Sequence, residues 1–66
     1  MQISKQRVQY YMAEQRLTAK KLAEKIEMMP QNLSGILTRG SCQPVTAARI
    51  ADGLGVDVAD IVGKEE

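Results

Sequence analysis

From Val8 onward the apolar residues of this chain recur at three- and four-residue steps, and nowhere does a period-two alternation compete, so an all-α fold is predicted. Ser4 can cap a first helix whose inward positions are Val8, Tyr11, Met12 and Gln15, with Tyr10 on a flank and an end near Arg16. Thr18 caps "AKKLAEKIE", in which Leu22, Ala23 and Ile26 share one face while Lys20, Lys21, Glu24, Lys25 and Glu27 turn outward. Pro30 suits the first turn of a third helix with Leu33, Ile36 and Leu37 inward, and Gly40 stops it. Pro44 and Thr46 open "TAARIADGL", ended by Gly55, and Asp57 caps a last short helix, "VADIV".

Such helices must be held together by packing. A chain of 66 residues buries only roughly 60% of its unfolded surface, enough for one small domain. Residues 1–62 are read as that domain and residues 63–66 as a short acidic tail. Histidine is absent and Cys42 is the single cysteine, so neither a disulfide framework nor a cysteine/histidine zinc site can form within one chain. No apolar run reaches the ~18–20 residues that span a bilayer, and no signal peptide is evident, so a cytoplasmic protein is expected.

The net charge of +1 hides an asymmetry. Up to Ile50, Lys5, Arg7, Arg16, Lys20, Lys21, Lys25, Arg39 and Arg49 outnumber Glu14, Glu24 and Glu27. Beyond it, Lys64 alone opposes Asp52, Asp57, Asp60, Glu65 and Glu66. A basic front half and an acidic far end suit a protein that meets a polyanion with one side. Within the basic half, "EMMPQNLSGILTRG" has no charged side chain between Glu27 and Arg39. That segment is too polar for a core and too uncharged for an ordinary surface.

The ordered set "LTAKKLAEKIEMMPQNLSGIL", a following glycine and "RIADGLGVDVADIV" resembles the helix-turn-helix domains of phage repressor and Cro-like regulators, the xenobiotic-response-element type. The resemblance covers nearly the whole chain. It implies a five-helix, lambda-repressor-like bundle whose second and third helices form the DNA-reading unit, the third lying in the major groove. On that reading Gln31 and Asn32 sit where the family places base-contacting side chains, and either amide can pair bidentately with adenine. Ser34, Gly35 and Thr38 complete the base-facing set. Gly35 offers only room where relatives often carry a reading side chain. Thr18, Lys20 and Lys21 at the start of the second helix, and Arg39, Ser41 and Gln43 in the loop after the third, are the expected phosphate contacts. The N-termini of the second and fourth helices can offer free N–H groups to phosphate as well.

Several positions depart from the family pattern. Ala19 replaces a frequent DNA-touching glutamine, Glu27 a turn glycine and Met29 a capping serine, while Gly40 falls one residue late. The arginine and glutamate that pair between the first and third helices in many relatives become Met12 and Leu37, which are expected to touch in the core.

The resemblance implies a sequence-specific DNA-binding regulator of transcription, a repressor of phage, mobile-element or bacterial origin, acting on double-stranded DNA as a homodimer on a palindromic operator. Self-association is expected around Val58, Ile61 and Val62. The alternative is a helix-turn-helix module that binds another protein, or an antitoxin component. On the plainer reading Gln31 and Asn32 are solvated helix residues, Lys20 and Lys21 a solvent-facing pair, Met28 and Met29 gap fillers and Cys42 an incidental thiol. No histidine, Cys–His pair or phosphate loop supports an enzyme, and no cofactor, metal or small-molecule ligand is expected.

Overall fold

The computed structural model describes residues 1–63. Its helices are α1 (Lys5–Glu14), α2 (Ala19–Lys25), α3 (Pro30–Arg39) and α4 (Pro44–Leu54), followed by a single 3-10 turn, Val58–Asp60. The acidic tail expected over 63–66 lies, apart from Gly63, outside the described residues.

The helix starts follow local chemistry. Ser4 Oγ accepts from the Arg7 N–H and Thr18 Oγ1 from the Lys21 N–H, so both predicted caps form. Met29 and Gln43, the residues before α3 and α4, make no side-chain cap; each is followed by a proline that lacks one of the N–H groups a cap would serve.

The helix ends share one device. Each is followed by a left-handed residue: Arg16 (φ 57°), Glu27 (φ 58°), Gly40 (φ 74°) and Gly55 (φ 72°). After α1, the Leu17 N–H returns to the Met12 carbonyl and the Arg16 N–H to that of Ala13. After α2, Met28 and Glu27 bond Ala23 and Glu24 in the same way. These are Schellman closures, in which the residue beyond the left-handed position packs back on the helix. Leu17 and Met28 accordingly lie against the core.

One buried cluster unites Ile3, Val8, Met12, Leu22, Leu33, Leu37, Ile50 and Ile61 with their neighbours, and among the described residues no polar or charged side chain is buried. Met12 and Leu37 both belong to it, each below a tenth exposed. α2 packs against both α3 and α4. Gly53 makes the second contact possible, because a Cβ there would overlap the Ile26 side chain and meet Leu22 Cδ1 at 3.0 Å.

One expectation needs correction. The fifth helix is only the 3-10 turn, in which Asp57 Oδ1 accepts from the Ala59 N–H and Asp60 Oδ2 from the Asp57 N–H. Beyond it the chain turns extended, because Val62 pairs with Ile3 and the Ser4 N–H donates to the Ile61 carbonyl at 2.7 Å. The all-α expectation holds: among the described residues there is no strand, only two isolated antiparallel bridges. Residues 1–4 run between the α3–α4 loop, where Gln2 pairs antiparallel with Ser41, and the C-terminal segment, where Ile3 pairs with Val62. Gly63 fits this seam closely: a Cβ on it would stand 3.0 Å from the Ile3 carbonyl carbon and the Ser4 nitrogen. No helix among the described residues is long and apolar enough to cross a membrane.

Candidate nucleic-acid interface

On α3 the core residues Leu33, Ile36 and Leu37 make one stripe, and helical geometry puts Gln31, Gly35 and Thr38 on the opposite side. Gln31, Ser34 and Thr38 are exposed and Gly35 half-buried. Together with Pro30 and Arg39 they line one shallow hollow on the outside of α3. Four of the expected base-facing residues therefore share a surface. Asn32, also exposed, turns toward α4 and lines a neighbouring hollow with Met29, Thr46 and Arg49. Glu27 stands on the rim of that second hollow, and Gln31, Gly35 and Arg39 border both.

Of the expected phosphate contacts, Arg39 alone lines the hollow on the outside of α3. Thr18, Lys20 and Lys21 are exposed at the first turn of α2. The Thr18 oxygen is engaged with the Lys21 N–H at 3.1 Å, while its hydroxyl proton remains available to an acceptor. Gln43 is exposed just before α4, and Ser41 is half-buried where the loop pairs with Gln2. Arg39 is not a loop residue. It ends α3, because the left-handed Gly40 closes the helix with its N–H on the Ile36 carbonyl at 2.7 Å. Its guanidinium lies back along the helix, with Nη1 3.4 Å from where a Cβ on Gly35 would stand. That direction is the ordinary one for a helical side chain, which covers the turn N-terminal to its own Cα.

Two residues outside the sequence-based set belong to this region. Arg49 on α4 donates through Nη2 to the Ile26 carbonyl at 2.7 Å. It thus ties α4 to the end of α2, where the turn into α3 begins. Thr46, half-buried one turn earlier on α4, lines the second hollow beside it. The segment "TAARI" carries no local signal for either role, which depends on how α4 packs.

Cys42 is half-buried in the α3–α4 loop. Burial pushes its thiol above the ordinary value, outweighing the Met1 ammonium and Arg39, which pull the other way. It stays protonated near neutral pH, unlike an activated nucleophile.

The chain thus presents two consecutive helices joined by a tight turn, an amide and hydroxyl face on the second and exposed lysines at the start of the first. The family model of the Cro/C1-type HTH DNA-binding domain matches residues 7–65. The chain belongs to that family. No curated protein and no solved structure matches it significantly. For this Cro/C1-type domain, α2 and α3 are the helix-turn-helix, and the outer face of α3 is the candidate reading surface. The family is one of DNA-binding domains. The surface expected to self-associate does not survive in full, because Ile61 is completely buried in the core and Val58 and Val62 are only partly exposed. The large apolar side chains that do stand out among the described residues are Met1, Tyr10, Met29 and Val45.

Proposed function

We propose that this Cro/C1-type domain is a sequence-specific transcriptional regulator, a repressor of phage, mobile-element or bacterial origin, that inserts α3 into the major groove of its operator. The observation that carries this reading is the outer face of α3, where Gln31, Ser34, Gly35 and Thr38 present amide, hydroxyl and open backbone opposite a wholly apolar stripe. Base edges are read by such groups at close range, and Gln31 is of the type that pairs bidentately with adenine N6 and N7. Asn32, one step around the helix, reaches the edge of the site from the second hollow. Lys20 and Lys21, with Thr18, Ser41 and Gln43, contact the phosphates on either side. With so few cations, one copy binds modestly, and two copies on half-sites about one helical turn apart supply the rest.

Selection of bound sites from a random DNA pool tests the reading. A palindromic consensus is expected, with affinity that falls steeply as salt rises. Gln31→Ala should then cost about 1–3 kcal/mol on the selected site and much less on random DNA, whereas Lys20→Ala and Lys21→Ala should weaken both alike and lower the salt slope by about one each. A pool that yields no enrichment, with binding that ignores salt, would favour a helix-turn-helix module that docks on another protein.

A further inference from the structure

Gly35 leaves a gap in the middle of the reading face, and the gap is partly filled from the same helix. Arg39, four residues on, lies directly above Gly35 along α3. Its Nη1 atom stands 3.4 Å from the position a Cβ on Gly35 would take, and both residues border the hollow that holds Gln31, Ser34 and Thr38. The guanidinium therefore lies along the outer face of α3, in the hollow that the amides and hydroxyls of this helix line.

We propose that Arg39 is a base-reading residue of this site, and that Gly35 is the space through which its guanidinium reaches a guanine in the major groove. The inference rests on the DNA-binding reading above and names a base that α3 would read within it. A guanidinium presents two parallel N–H groups that match O6 and N7 of guanine, the commonest specific contact in the major groove. A lysine ammonium can donate to the same two acceptors, but as a point charge it lacks the rigid planar fork and holds them less well. A long side chain at position 35 would compete for the same space. Glycine opens it, at the usual cost in helix propensity of about 1 kcal/mol against alanine.

A phosphate contact and a guanine contact by Arg39 make opposite demands. Arg39→Lys keeps the charge and loses the fork, and Arg39 is exposed, so the variant should fold as the parent does. For a guanine reader, this variant loses about tenfold or more in affinity for the selected site relative to the same site with that guanine replaced, and its salt slope is unchanged. Gly35→Gln is the independent arm. By filling the gap it should change the base recovered at that same position in a repeated selection and leave the positions read by Gln31 intact. Two results overturn the proposal: a parental consensus without guanine, or an Arg39→Gln variant whose loss is equal on selected and random DNA. Each of these leaves the regulatory reading standing. That reading falls instead if the parent protein selects no site at all.

Discussion

Arg16 and Glu27 occupy backbone conformations that L-residues enter at a cost. Their φ angles of 57° and 58° match the geometry that Gly40 and Gly55 adopt after α3 and α4. Putting Cβ into the left-handed region costs roughly 1–2 kcal/mol, against which glycine loses roughly 0.5–1 kcal/mol more than other residues through the greater freedom of its unfolded chain. Glu27 is exposed, so no packing of its side chain offsets the strain. Glu27→Gly is therefore expected to stabilise the domain by about 0.5–1 kcal/mol, seen as a rise of a few degrees in the thermal midpoint. A lowered midpoint would mean that the carboxylate makes a contact worth more than the strain. The sequence raised this question for Glu27, because the family has glycine there, and raised none for Arg16. A Schellman closure is set by hydrogen bonds to carbonyls already in the helix, and it forms at a non-glycine residue wherever the following side chain, here Leu17 or Met28, gains by packing inward.

Two helical glycines show how an element's surroundings reverse the sign of one substitution. On the outer face of α3, a Cβ on Gly35 meets only Arg39 Nη1 at an ordinary 3.4 Å, so Gly35→Ala should raise stability by up to about 1 kcal/mol from helix propensity alone. In α4, a Cβ on Gly53 runs into the side chains of Ile26 and Leu22 at the α2 contact. Ile26 is branched at Cβ and cannot swing aside cheaply. Gly53→Ala is expected to destabilise by about 1–3 kcal/mol despite the better propensity. Denaturant titration of the two variants side by side checks both signs, and equal shifts would refute the argument. The same contrast explains how much could be read from the chain. Ser4, Thr18, Pro30 and Gly40 act on their own helices, so four helices were legible from spacing and caps, whereas the candidate reading face on α3 came from the family resemblance. Gly53 and Arg49 act between helices, and the isolated bridges of Gln2 and Ile3 and the shortened fifth helix depend on partners some forty to sixty residues away, at Ser41 and Val62. No local pattern encodes such pairings.

At the scale of the whole molecule, the question is what holds the reading helix to its scaffold. Relatives that tie the first and third helices with an arginine–glutamate pair desolvate two charges to do so. Here the corresponding Met12 and Leu37 are both buried in a core that, among the described residues, contains no charged side chain. Replacing a buried ion pair by packed apolar groups is often neutral or stabilising, whereas one charge restored alone has no partner and no water. Leu37→Glu is therefore expected to destabilise by about 3–5 kcal/mol, a large share of what so small a domain has to lose. Met12→Arg introduced on top of it should recover part of that loss, because the new guanidinium gives the carboxylate a partner. The double-mutant cycle, read by denaturant titration with Met12→Arg alone as the fourth corner, isolates the pairwise term. A favourable coupling of about 1 kcal/mol or more would place positions 12 and 37 against each other across α1 and α3, in the register that turns Gln31, Gly35 and Thr38 outward. Additive losses would instead mean that the two side chains share the core without meeting, and the orientation of α3 would have to rest on Leu33 and Ile36 alone.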